Sequence, residues 1–418
     1  MKTVNIKYIT TFFIGIAVAV CALVLCAAPP AKADTEEYAS VPSVTITAFG
    51  KSYKYSDEKI IPSDFSVAEQ IELRRINASL EQKTELVDLC LSKGADYKTA
   101  LLTCFPRLQY TVDEVARDVC IQPTDARAVY NNGAFTVVSE KNGRALDENK
   151  LYAKIYCCLK FSGGGTVGAD TVVLQPRVTR SEIEQNMQLR ASYTTDYSTS
   201  APARASNVTL AVKKLGGAQI APGQTFSFNA AVGARTKENG FKSAKIIVDG
   251  KYTQGVGGGV CQASTALYNA ALVADLACSA NAHSICPSYC PAGLDAMISS
   301  VSDLVITNTT AHPIYIATSA ADGKATVRIY GERREYTVVP ESVTLKTVEH
   351  DTKEIVDSAH SYFDDTAVSG DRIMVSPGKD GVVSETYLKY YKRGKFIKRV
   401  KIRTNEYRAV ERVIAVAP

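Results

Sequence analysis

The rhythm of apolar and polar positions changes several times along the chain, and each change marks an element. Val44 to Phe49 and Lys51 to Tyr55 alternate around Gly50, which predicts two short strands meeting at a turn. From Ser66 to Leu91 the apolar positions Ile71, Ile76, Leu80, Val87 and Leu91 recur at helical spacing with charges between them, and Thr111 to Cys120 repeats the pattern. After Pro123 the order becomes a strand at Ala134 to Val138, a helix around Leu146 to Leu159, a turn at Gly163 to Gly165, and a strand at Thr171 to Leu174 ended by Pro176. Ala191 to Ser206, rich in Ala, Ser, Thr and Tyr, lacks apolar periodicity and reads as a linker or an extended cover over the next domain. Ala266, Leu267, Ala270, Ala271, Val273 and Leu276 trace an amphipathic helix with Ser264 or Thr265 as its N-cap. Beyond Glu335, Val343 to Thr347, Ile355, Ile373 to Val375, Val383 to Tyr391 and Phe396 to Ile402 alternate with glycine turns, the pattern of an all-β module. The expected fold is therefore multi-domain α+β: an α+β N-terminal region, an α+β middle domain whose Gly-rich loop leads into a helix, and an all-β C-terminal module.

Composition narrows the class. With 418 residues, 46% hydrophobic and 22% charged, the chain has room for several cores, and wholesale disorder and a polytopic membrane protein are excluded. Setting aside Lys2, Lys7 and Lys32 leaves 45 bases against 43 acids, too even a balance for a nucleic-acid footprint. Lys2 and Lys7 precede an apolar run from Phe12 to Ala28, followed by Pro29, Pro30 and the small-x-small site Ala31-Lys32-Ala33. Residues 1–33 are thus a signal peptide or a membrane anchor, with residues 8–31 holding the chain to the membrane if they are not cut. In either case everything after Ala33 works outside the cytoplasm. Leu25 before Cys26 lacks the small residue of a lipoprotein site.

Beyond that segment lie nine cysteines, and an exported chain permits disulfides. One of the nine, Cys261, follows Gly257, Gly258 and Gly259 and precedes the predicted helix. Free N–H groups and the helix dipole there favour the thiolate, which is the nucleophilic form. The glycine N–H groups are also candidate donors to the oxyanion of an acyl-transfer intermediate. His283 is the candidate general base and proton donor. Cys278, His283, Cys286 and Cys290 form a rival cluster, read either as a structural zinc site or, favoured by the compartment, as disulfide partners. No metal and no other cofactor is assigned.

Family resemblances add to this. Gln122 to about Thr179 resembles the peptidoglycan-binding-like domain found ahead of cell-wall transpeptidases, through Pro123, Asp125, Ala126, the Phe135 to Val138 strand before Gly143, and Val172 to Pro176. The middle third resembles the VanW family through Arg204, Asn207, Pro222-Gly223, Phe226-Ser227-Phe228-Asn229, Gly233, Gly240, and the run Gly257-Gly258-Gly259-Val260-Cys261-Gln262-Ala263-Ser264-Thr265 followed by Leu267-Tyr268-Asn269. His283-Ser284, Gly293, Asp295-Ala296 and Asn308 continue the pattern to about Gly331. Two positions depart from the family, Ala280 in place of an arginine and Leu294 in place of a basic residue. The tail resembles the five-glycine surface domain that trails VanW domains. These resemblances imply a peptidoglycan-binding-like region at 34–190, a VanW domain at 191–333 and a five-glycine-like domain at 334–418. They imply Asp295 as the acid orienting His283, and Asn229, Gln262, Ser264, Thr265 and Ser284 beside the glycines as substrate or oxyanion contacts. The implied function is an exported peptidoglycan-remodelling cysteine acyltransferase, similar to L,D-transpeptidases, with stem peptides and glycan as partners. The alternative is a non-catalytic wall-binding scaffold with an inert Cys261.

Overall fold

The computed structural model describes residues 41–59, 67–248, 251–364 and 366–418, so the expectations for residues 1–33 lie outside it. Among the described residues no helix is long and apolar enough to cross a membrane. The molecule divides into two compact units, one taking in Glu140–Arg177 with the chain up to Asp125, the other Ala126–Ser139 with Val178–Pro418.

In the first unit the expected hairpin forms from Ser43–Ala48 and Lys51–Ser56, with Phe49 and Gly50 at φ 47° and 81° in the turn. Gly165–Gly168 adds a parallel strand beside Ser43–Ala48. Val44, Ile46 and Ala48, the inward half of the alternation, face a core built by the helices Leu80–Ser92, Tyr97–Cys104, Leu108–Val119 and Glu148–Ser162. Leu108, Val112, Val115 and Val119 recur every three or four residues, and all four are buried. The single helical run expected from Ser66 to Leu91 is broken in two, Val67–Ile76 and Leu80–Ser92. Ser79 causes the break: its side chain accepts from the Gln82 amide while the Gln82 side chain accepts from the Ser79 amide, a capping box that starts a new helix. A buried ion pair joins Lys83 to Asp57 at 2.5 Å.

The second unit centres on a four-stranded antiparallel sheet ordered Gln188–Asp196, Lys324–Gly331, Ile314–Ala321, Ala218–Ile220. The helices Pro202–Leu215 and Val260–Val273 pack against it. Ala191 to Ser206 is therefore not a linker. Its first half is an edge strand of this sheet and its second half opens the Pro202–Leu215 helix. The hairpin Arg127–Asn131 and Ala134–Val138 also belongs to this unit, although the periodicity runs it together with the helix that follows. Tyr130 and Phe135 explain its placement: Phe135 stacks edge-on against Tyr315 at 5.3 Å, and the Tyr130 hydroxyl donates to the Thr318 carbonyl at 3.2 Å. The C-terminal part is β-rich as expected. Tyr336–Val348, Gly381–Lys392 and Lys395–Tyr407 form one sheet, and Thr352–Val356, Val410–Val416 and Arg372–Lys379 another. Val338 and Leu388 join the same buried core as the Val260–Val273 helix.

Candidate active site

The hairpin Ser243–Val248 and Lys251–Val256 delivers the chain into the glycine loop. Gly257 and Gly259 have φ of 86° and 102°, a conformation that side chains resist. Gly258 is required for space, since a Cβ there would lie 2.6 Å from the Lys245 carbonyl oxygen and 2.8 Å from the Ala244 backbone. The helix begins at Val260, so the expected N-cap at Ser264 or Thr265 is replaced by Gly259, which has no side chain to cap with. Cys261 thus sits in the first turn, where the unpaired amides and the dipole favour negative charge. Ser264 and Thr265 are buried inside the helix instead. The Ser264 hydroxyl donates to the Ala296 carbonyl at 2.6 Å, and the Thr265 hydroxyl accepts from the Ala296 amide at 3.0 Å, binding the helix to the segment that carries Asp295.

Cys261, His283 and Asp295 are brought together. Asp295, fully buried, meets His283 Nδ1 at 2.6 Å and accepts from its amide at 2.7 Å. That leaves the other ring nitrogen for the hydrogen bond between His283 and the Cys261 thiol. Burial lowers the imidazole pKa, but the hydrogen bonds to Asp295 and Cys261 outweigh it and push His283 up to about 9. Burial likewise opposes thiolate formation at Cys261. The His283 hydrogen bond and charge, a backbone hydrogen bond at Ile298 and the Arg235 charge outweigh it, so the thiol is held below its ordinary value. The two shifts run in complementary senses, the imidazole toward its charged form and the thiol toward its own. Burial pushes the thiols of Cys158, Cys278, Cys286 and Cys290 the other way, Cys278 up to about 12.

The acid is held from the C-terminal strand Lys395–Tyr407, which sequence reasoning did not connect to the site. The Tyr407 hydroxyl donates to Asp295 Oδ1 at 2.5 Å and accepts from the Gly293 amide at 2.6 Å. Arg403 donates to the Asp295 carbonyl oxygen at 2.6 Å and lies 3.5 Å from its carboxylate. With the donations from His283 and Tyr407, Asp295 stays below the usual carboxylate range against the cost of burial. Tyr289 was also missed: its hydroxyl is hydrogen-bonded to Thr265, and burial together with the Cys261 thiolate drives its pKa well up. Arg204 lies 5.9 Å from the Tyr289 ring, and Arg235 donates to Asn229 Oδ1 at 2.8 Å. Of Tyr407, Arg403, Tyr289, Arg204 and Arg235, only Arg204 stood in the family pattern. Nothing local in the sequence marks the others.

Several of the remaining expected contacts already have partners within the fold. Gly257 donates its amide to the Lys242 carbonyl at 3.0 Å, which removes it as an oxyanion donor. Asn229 donates to the Ser299 and Ser302 carbonyls, each at 3.0 Å, and so holds the loop beside Asp303. Gln262 donates to the Asp196 carbonyl at 2.7 Å, and Ser284 is exposed. The rival cluster does not form: Cys278, Cys286 and Cys290 are free thiols, and the described residues hold no group of three or more His, Cys, Asp or Glu able to bind a metal. The His283 ring is already engaged by Asp295 and Cys261.

Comparison with known proteins follows this geometry. The family described as VanW like protein matches residues 203–330. A peptidoglycan binding domain family matches residues 66–161, and so takes in the helices before Gln122, where the sequence resemblance began. The uncharacterized protein YoaR of Bacillus subtilis (strain 168) is 31% identical over 202 residues, 48% of this chain and 67% of that protein. The vancomycin B-type resistance protein VanW of Enterococcus faecalis (strain ATCC 700802 / V583) is 42% identical over 62 residues, 15% of this chain and 22% of that protein. Among solved structures, the IgA1 protease G5 domain is 10% identical with a TM-score of 0.14, covering 21% of this chain and 95% of that one. HP0197-G5 is 14% identical with a TM-score of 0.12, covering 20% and 99%. The peptidoglycan binding and VanW matches together are those of a cell-wall-associated, extracytoplasmic protein. With this domain pair and the YoaR match, the chain belongs to the VanW family.

Proposed function

We propose that the protein is a cysteine acyltransferase acting on peptidoglycan stem peptides, of the L,D-transpeptidase type. The observation that carries it is the Cys261 and His283 pair, in which the thiol is lowered while the other shifted thiols are raised. The Cys261 thiolate attacks the carbonyl carbon of a donor peptide bond, forming a C–S bond and an oxyanion. The amides of Gly258, Gly259 and Cys261 are the donors available for that oxyanion, Gly257 being engaged elsewhere. On collapse the C–N bond breaks and the imidazolium of His283 passes its proton to the departing amine. A stem amine or a water then attacks the thioester, giving its proton to His283, and the thiolate leaves. Asp295 holds the ring and its charge without exchanging a proton with substrate.

The test is the intact mass of the protein after incubation with muropeptides or a carbapenem-type acylating probe, wild type against Cys261→Ala. A one-to-one adduct on the wild type alone is expected. A folded wild type that takes no adduct yet still binds wall sacculi overturns the enzyme and leaves the scaffold.

A further inference from the structure

A second site lies at the opposite end of the cysteine helix, where the last strand of the central sheet passes into the C-terminal module. An open cleft of about 420 Å³ is lined by Arg190, Arg333, Arg334, Glu335 and Lys392 among others. A neighbouring recess of about 570 Å³ shares Arg333, Arg334 and Glu335 and adds Arg393. Arg190 donates to the Glu332 and Ala274 carbonyls, each at 3.1 Å. Arg334 donates to the Val273 carbonyl at 2.7 Å and the Arg190 carbonyl at 3.2 Å. These bonds pin both guanidinium groups at the carbonyl end of the Val260–Val273 helix, and Arg190 Nε and Arg334 Nη1 are left buried with no hydrogen-bond partner.

The charge is only partly offset: Glu332 and Glu335 line the cleft against Arg190, Arg333, Arg334 and Lys392, and Asp275 and Glu332 act on Arg190 without an ion pair to it. Asp275, half-buried, accepts from the Tyr336 hydroxyl at 2.6 Å and the Tyr390 hydroxyl at 2.9 Å. Glu335 is paired with Lys392 at 2.6 Å. Two fixed guanidinium forks with buried unsatisfied donors, and no ion pair to a carboxylate among the described residues, make a receptor for an anion with several oxygens. Exposed Arg333 and Arg393 carry the positive charge beyond the cleft, which suits a repeating charge better than a single ion. None of the cleft-lining side chains is aliphatic, as a bilayer contact would need. We infer that this cleft binds a phosphodiester-linked polyanion of the cell wall, one phosphate lying between Arg190 and Arg334.

The test titrates the full chain by calorimetry with a glycerol-phosphate oligomer, with inorganic phosphate and with phosphatidylglycerol vesicles, at several salt concentrations. The oligomer is expected to bind more tightly than inorganic phosphate and more weakly as salt rises. Arg190 and Arg334 hold helix carbonyls, so the decisive variant is Arg333→Gln with Arg393→Gln, which changes exposed side chains only. It is expected to weaken oligomer binding by about tenfold or more, with the unfolding temperature and the Cys261 alkylation rate unchanged. Undiminished binding by this variant, absence of oligomer binding by the wild type, or a preference for vesicles over the oligomer overturns the assignment.

Discussion

Asp295→Asn isolates the charge that sets the state of the thiol. The substitution keeps the shape and the Tyr407 contact but removes the carboxylate from His283 Nδ1 and from its amide. Tyr407 donates to Oδ1, so an asparagine there keeps its carbonyl toward Tyr407 and turns its NH₂ toward His283. The ring must then accept at Nδ1 and carry its proton on the other nitrogen, the wrong state for an imidazolium. In the wild type the imidazole rises from 6.5 to about 9, a net balance of roughly 3 kcal/mol for the charged form after burial is overcome by Asp295 and Cys261. Without Asp295 the ring loses the partner that holds its charge, and burial, which raises the Cys261 pKa, is opposed only by the Ile298 backbone and Arg235. The thiol is then expected to titrate at or above its ordinary value of about 8.5, leaving at most about 3% thiolate at pH 7. The assay is iodoacetamide alkylation of Cys261 as a function of pH, read as the midpoint, because the more basic thiolate is also intrinsically more reactive and blurs a single-pH rate. The wild-type midpoint is expected below the ordinary thiol value and the variant midpoint at or above it. Equal midpoints would refute an ion pair sustained by Asp295.

Three further outcomes are expected. Tyr407→Phe removes the hydrogen bond to Asp295 and leaves the buried Gly293 amide unpaired, at a cost of about 1–3 kcal/mol; unchanged urea unfolding would show the contact to be dispensable. Gly258→Ala forces a Cβ against the Lys245 and Ala244 backbone, so the loop must shift and the acyl adduct on Cys261 should disappear while the far-UV spectrum is kept; full adduct formation would contradict the packing. Asp57→Ala strands the buried Lys83 ammonium and is expected to cost about 3–5 kcal/mol, while Lys83→Met with Asp57→Ala should recover most of it, as thermal melts of the two variants would show. Equal melting of single and double variants would count against the pair.

The sequence by itself determined the elements whose one face is buried. The Ser43–Ala48 strand and the Leu108–Val119 helix could be read because their apolar periods match what they bury. The order of the VanW motifs nominated Cys261, His283 and Asp295 as candidates, and the fold is what brings their side chains together. The Gln188–Asp196 strand escaped because its buried positions, Ala191 and Thr195, are small or polar and leave no alternation to see. The helix start at Val260 escaped because a glycine in a left-handed conformation caps it without a side-chain signal. Only the tertiary structure decided what surrounds the triad. Tyr407 and Arg403 lie 112 and 108 residues after Asp295, in a module whose pattern says only strand. Their role exists because the Lys395–Tyr407 strand ends against the Gly293–Asp295 segment, where the buried Asp295 carboxylate and the Gly293 amide both find a partner in Tyr407. The same holds for the arginine cleft, whose members come from residues 190, 333, 334, 392 and 393 and become one site only when the sheet edge, the helix end and the module meet.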